Sequence, residues 1–314
     1  MKSQKMKFFG NSKNRGFSSK IILMLIILTA CQLAPTQRPI LPLIYTGTEA
    51  VEARFGPETQ MQVYSGQQVN AVVELNNKGV YDVTNGKYAL IFEEQYVQLL
   101  PGMQKTGAFT LGGKTQYNPE GDFTRIPIRM RSKELPPQAE SYQTQIIFQS
   151  CYPYKTYASA QVCIDPDIAN RNLRKACTAM PVSLGGGQGA PVAVTRIEPI
   201  MAPEGNDVRP VFAIYLQNLG SGQVLSTDAI STACGGVGAI KFNKVSVSAK
   251  LQDETLLCAP NPAILEAGQE ARVICESRQR YGITAGTFTT ILTTELDYGY
   301  MTVASNPLMI SRLH

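Results

Sequence analysis

One pattern is written twice in this chain. The stretches "CYPYKTYASAQVCI", from Cys151, and "DYGYMTVASNPLMI", from Asp297, share Tyr-x-Tyr-x-Thr-x-Ala-Ser and a later Ile. The matches Tyr152/Tyr298, Tyr154/Tyr300, Thr156/Thr302, Ala158/Ala304, Ser159/Ser305 and Ile164/Ile310 all keep one offset of 146 positions. A second echo lies upstream, where Leu75-x-Asn77-x-Gly79 returns as Leu216-x-Asn218-x-Gly220 at an offset of 141. From Asn to the first Tyr the span is 75 residues in one half and 80 in the other. Two echoes in the same order at similar spacing indicate a tandem duplication. The chain must then fold as two related halves.

Those halves read as β-structure. Beyond residue 45 no segment keeps apolar residues at helical spacing for three turns, whereas short alternating runs recur between Gly, Pro and Asn clusters. "VNAVVELNN", "GKYALIF", "FTRIPIRM" and "SYQTQIIFQ" predict strands in the first half. "PVAVTRIEPI", "PVFAIYLQN", "FNKVSVSAKL", "EARVICES" and "TFTTILTTELDY" predict them in the second. Many short strands separated by turn signals predict β-sandwiches. One helical turn is expected within "DPDIANRNLRK". On a strand, residues two apart share a face. Tyr152 and Tyr154 therefore continue the stripe of Ile146 and Phe148, and Tyr298 and Tyr300 that of Leu292 and Leu296. All four tyrosines are expected in the core, with hydroxyls reaching its rim. Pro153 and Gly299, between them, predict a bulge or an edge.

The alternating run that ends in Asn-x-Gly, at Asn77/Gly79 and Asn218/Gly220, resembles the early strand of the CARDB-like, immunoglobulin-type domains of prokaryotic surface proteins. The resemblance covers some thirty residues per half and transfers no binding residue. It implies an all-β chain of two tandem immunoglobulin-like β-sandwich domains in a surface or adhesion context. It also implies glycines at positive φ in the turn that leaves the strand. The expected layout is a first sandwich at 47–184, a Gly-rich linker at 185–190 and a second sandwich at 191–314.

The N-terminus predicts where the chain goes. Residues 1–30 carry Lys2, Lys5, Lys7, Lys13, Arg15 and Lys20 and no acidic residue, and without them 23 basic residues face 24 acidic ones. The remainder has no cationic excess for phosphates, so no nucleic acid partner is expected. The apolar run Ile21–Leu28 is shorter than the roughly 20 residues a membrane-spanning helix needs and fits a secretory h-region. Leu28-Thr29-Ala30-Cys31 resembles the lipobox of bacterial-type lipoproteins. The resemblance implies a signal peptide at 1–30 and lipid attachment at Cys31. Residues 31–46, with Pro35, Pro39 and Pro42, predict an extended spacer. The expected location is outside the cytoplasm, anchored to a membrane by lipid and facing the periplasm or cell exterior.

Catalytic signals are sparse. The one histidine is His314, at the chain end, which disfavours Ser-His-Asp, Cys-His and His-rich zinc sites. The pairs Glu93/Glu94, Glu204/Asp207 and Asp253/Glu254 have no catalytic context. The glycines at 185, 186, 187 and 189 lack the Lys-Ser/Thr ending of a phosphate loop. Asp165-Pro-Asp167, with Asn170 and Asn172, offers oxygen ligands for calcium, but without the glycine and terminal Glu of an EF-hand it reads better as a Pro-ordered turn. No metal and no cofactor are expected. The composite expectation is a non-enzymatic envelope protein with a structural, adhesion or protein-binding role and a protein partner at the envelope. The alternatives are a scaffold subunit of a secretion-type or pilus-type assembly and, less favoured, an accessory hydrolase of envelope polymers.

Six further cysteines, Cys151, Cys163, Cys177, Cys234, Cys258 and Cys275, predict three disulfides in an exported chain. Three lie on each side of the linker, so full pairing requires one bridge across it. Cys258–Cys275 is expected within the second half. In the first half Cys151–Cys163 and Cys163–Cys177 compete, and Cys234 is expected to cross, to Cys177.

Overall fold

Alternating side chains give each strand one face to bury, and here most buried faces converge on a single layer. The computed structural model describes residues 44–171, 174–235 and 242–313. The signal peptide expected at 1–30, Cys31, the part of the expected spacer before residue 44 and His314 lie outside the described residues. In chain order the strands are β1 (Val51–Phe55), β2 (Gln62–Tyr64), β3 (Gln68–Asn77), β4 (Val83–Ile91), β5 (Val97–Leu99), β6 (Thr106–Leu111), β7 (Phe123–Ser132) and β8 (Ser141–Ile164). After them come β9 (Val182–Ser183), β10 (Val192–Glu204), β11 (Asp207–Asn218), β12 (Gln223–Leu225), β13 (Lys244–Leu251), β14 (Glu254–Thr255), β15 (Leu257–Ala259), β16 (Ala263–Ile264), β17 (Ala271–Glu276), β18 (Tyr281–Gly282) and β19 (Phe288–Ser311). A single helical turn, α1 (Ile230–Ala233), precedes Cys234. The fold is all-β and sandwich-like, and each of the nine predicted runs falls on a strand.

Three sheets form. One has the order β1-β3-β7-β5, and a second has β15-β17-β11-β10-β9 with β18 beside β11. The third runs β14-β13-β19-β8-β4-β6, with β2, β12 and β16 alongside, and its nine strands come from both halves of the chain. At its centre β8 and β19, each 24 residues long, pair antiparallel over their whole length without a register shift. Even-numbered residues of both strands point inward. Tyr152 and Tyr298 on that face reach β1 and β10 respectively, so the two smaller sheets cover the same face of the large one. One hydrophobic core includes residues of both halves, from Val51 and Leu75 to Leu216 and Ile310.

The related halves are visible in their registers. Val51 opposes Asn77 in the β1–β3 pair, and Val192 opposes Asn218 in the β10–β11 pair. Val73 opposes Ile126 between β3 and β7, and Ile214 opposes Val273 between β11 and β17. The described residues from Ile44 onward fall in one compact unit. Residues 185–190 are a packed turn in which Gly186, Gly187 and Gly189 take positive φ. Buried Gln188 holds the turn to β10, accepting from the Val194 N–H at 3.0 Å and donating to its carbonyl at 3.2 Å.

Two local expectations are corrected. Pro153 and Gly299 sit at neither a bulge nor a chain edge but in mid-strand, directly opposite each other. Pro153 is tolerated because β4 leaves β8 at Cys151, one residue before the proline's neighbour. Gly299 is small because Ile230 and Leu225 press on its outer side, where a Cβ would meet them at 2.9 and 3.0 Å. The helical turn expected after Cys163 is absent among the described residues. There Lys175 instead closes the loop, donating to the Asp165 carboxylate at 2.7 Å and to the Asp167 carbonyl at 2.6 Å.

Candidate functional site

The paired motifs build a ring of four buried tyrosines around the centre of β8 and β19. Tyr152 opposes Tyr300 and Tyr154 opposes Tyr298, so all four rings share the inward face. Ring centroids lie 5.9 Å apart for Tyr152–Tyr154, 6.3 Å for Tyr154–Tyr298, 6.3 Å for Tyr298–Tyr300 and 6.1 Å for Tyr300–Tyr152. Such edge-on and tilted contacts suit the ring quadrupoles.

Buried phenols need partners, and each hydroxyl finds equivalent ones. Tyr152 accepts from the Val51 N–H at 3.2 Å, and Tyr298 accepts from the Val192 N–H at 3.3 Å. Tyr154 donates to the Asn77 side-chain oxygen at 3.4 Å, and Tyr300 donates to that of Asn218 at 3.2 Å. Each Asn then secures its turn. Asn77 donates to the Tyr81 carbonyl at 2.8 Å and accepts from the Gly79 N–H at 3.2 Å. Asn218 donates to the Gly222 carbonyl at 2.9 Å and accepts from the Gly220 N–H at 3.2 Å. The two sequence echoes are thus one device, an Asn-x-Gly turn clamped by a tyrosine.

The role expected of the glycines is corrected here. Neither Gly79 nor Gly220 is among the glycines at positive φ. They are required for space. A Cβ on Gly79 would collide with the Tyr154 hydroxyl and lie 2.6 and 2.7 Å from the carbonyls of Glu49 and Gly189. A Cβ on Gly220 would collide with the Tyr300 hydroxyl and lie 2.6 Å from Pro191.

Burial pushes the Tyr152, Tyr154 and Tyr298 phenols well above their usual range and Tyr300 up to about 12. They are neutral hydrogen-bonding groups. Two threonines of the repeated motif, Thr156 and Thr302, join them in a hydrogen-bonding role that the sequence alone does not assign. Thr156 donates to the Val192 carbonyl at 2.6 Å, and Thr302 donates to the Val51 carbonyl at 3.4 Å. Their place in the repeat was the signal; Val51 and Val192 share the 141-residue offset but sit in no recognisable motif.

The opposite face of the large sheet holds the bridge between halves. Cys151 is bonded to Cys234, which follows α1, and both are buried with Ala89, Leu225, Ile230 and Met301. Cys163 is bonded to Cys177, and Cys258 to Cys275. All six candidate cysteines are therefore paired, and one bridge joins a cysteine before the 185–190 turn to one after it, as parity requires. The partner expected for Cys234 is corrected from Cys177 to Cys151. Cys177 lies at the mouth of the loop closed onto Cys163, whereas Cys151 points outward directly beneath α1. The Cys151–Cys163 alternative fails because these residues stand at different points along one extended strand.

Six of the acidic candidates, Glu93, Glu94, Asp165, Asp167, Glu204 and Glu254, are engaged. The Lys175 ammonium occupies the Asp165/Asp167 cluster where calcium was considered. Glu93 accepts from Tyr142 at 2.9 Å and Thr144 at 3.0 Å, and the Tyr142 bond holds its carboxyl below the usual range. Glu94 pairs with Lys105, and Glu204 with Arg209 and Arg280. Glu254 accepts from Ser277 at 2.7 Å. Among the described residues no group of three or more His, Cys, Asp or Glu is placed to hold a metal. A surface groove of about 510 Å³ lies where β1 meets the 219–222 turn and Thr302.

No family model matches the chain, and no curated protein matches it. Among solved structures, the Fcho1 Mu homology domain (Danio rerio) with bound Eps15 peptide is similar at 9% identity, covering 85% of this chain and 97% of that one, with a TM-score of 0.15. A likeness at that TM-score carries no argument.

Proposed function

We propose that this chain is an exported, lipid-anchored, non-enzymatic envelope protein whose two halves are immunoglobulin-type sandwiches of CARDB-like character. Its role in this reading is structural, adhesive or protein-binding, with a protein partner at the envelope. The observation that carries the proposal is the complete pairing of the six cysteines that follow Cys31. Disulfides of this kind persist in oxidising compartments, and a chain routed there needs an export signal. Residues 1–31 spell one, with a basic region, a short apolar run, small residues and a cysteine in order. The sandwich reading draws support from strand order, since the four-stranded sheet β1-β3-β7-β5 faces β6-β4-β8 as two layers with a shared core.

The anchor is tested by Cys31→Ser with membrane fractionation and radiolabelled-palmitate incorporation. Each buried acyl CH₂ contributes about 0.8 kcal/mol, so two or more chains hold a protein firmly. Loss of label together with soluble or unprocessed protein is the expected result. A Cys31→Ser variant that is processed and stays in the membrane like wild type contradicts the anchor.

A further inference from the structure

We infer that the chain is an intramolecular strand-exchanged pair, in which each half donates the end of its long strand to the other half's sandwich. The last part of β19, from Thr302, lies between two strands of the first half. On one side it pairs with Ser141–Ser150 of β8, and on the other β2 joins it in parallel through Gln62–Tyr64. Its inward Thr302 hydroxyl is given to the Val51 carbonyl of the first half. The converse holds for β8. Beyond Pro153 it pairs with Phe288–Tyr298 of β19, whose far side carries β13 of the second half. Its inward Thr156 hydroxyl is given to the Val192 carbonyl of the second half.

The repeat fixes the symmetry of the exchange. Equivalent residues stand 146 apart, and the antiparallel register sets Pro153 against Gly299, which are themselves equivalent. Both conditions hold together only if a twofold axis passes through that pair. A twofold contact in which identical elements are exchanged is the geometry of a swapped dimer. Here the two partners are halves of one chain, and the 24-residue strands are the arms that cross the axis. Each arm serves its own half before the crossing and the opposite half after it. Neither sandwich is then complete without the other. The inference rests on the duplication and the register, not on the lipid anchor, so either proposal can fail alone.

The test uses the full chain with a protease recognition sequence inserted between Leu184 and Gly185, a position with open space around the glycine. The Cys151–Cys234 bond would hold the cut pieces together, so Cys151→Ala/Cys234→Ala is introduced as well. Should that variant fold poorly, the chain with the insertion alone is cut and then reduced under native conditions. Strand exchange predicts that the cut pieces co-elute in size exclusion and separate only in denaturant. It further predicts that pieces refolded apart and then mixed recover less than about a tenth of the complex obtained by refolding them together. Two pieces that separate in native buffer, each keeping its β-sheet circular dichroism, would overturn the exchange.

Discussion

Gly79 and Gly220 show what the duplicated motif demands of a single residue. Each lacks a side chain because a tyrosine hydroxyl and neighbouring backbone occupy the space. Gly79→Ala should destabilise the protein by about 3 kcal/mol, the scale of overpacking at a site that cannot yield. Tyr154→Phe removes the colliding hydroxyl but not the Glu49 and Gly189 carbonyls. The double variant should therefore recover only part of the loss, with a coupling of about 1 kcal/mol. Denaturant unfolding of the four proteins in this cycle checks it. A Gly79→Ala variant within about 0.5 kcal/mol of wild type contradicts the clamp. Gly220→Ala should behave in the same direction through Tyr300.

At the scale of elements, the β8–β19 pair places four neutral phenols in one core, and that sets a pH response. In the unfolded chain tyrosines ionise near pH 10, whereas burial holds all four folded-state values higher. Their contribution to stability is complete below about pH 10 and is lost as pH rises from there toward the folded values, by up to about 1.4 kcal/mol per ring per pH unit. Urea midpoints should be flat through neutral pH and fall steeply above about pH 10, with tyrosinate absorbance from these rings appearing together with unfolding. Ionisation of all fourteen tyrosines near pH 10 in a chain that stays folded contradicts this.

Much of this element level was legible in the sequence. Alternation placed the strands, and the repeat identified the tyrosines, asparagines and glycines that meet in space. What sequence did not disclose was that β8 and β19 run on past Pro153 and Gly299. Those residues carry local signals for interruption, and cross-strand pairing over 24 residues overrides them. The disulfides divided in the same way. Cys258–Cys275 joins the paired strands β15 and β17 across only 17 residues of chain. Cys151–Cys234 spans 83 residues and depends on where α1 lies on the sheet, a tertiary fact with no local trace.

For the whole molecule, the halves share a central sheet, a core and a disulfide, and these tie their stabilities together. Two beads on a glycine hinge would unfold independently, since little would couple them. A shared layer makes the loss of either half the loss of strands that the other needs. Differential scanning calorimetry of the chain from residue 44 to its end, with disulfides intact, asks this most directly. The interlocked fold predicts a single transition whose calorimetric enthalpy equals its van 't Hoff enthalpy. Two resolved transitions, or a calorimetric enthalpy about twice the van 't Hoff value, would contradict it.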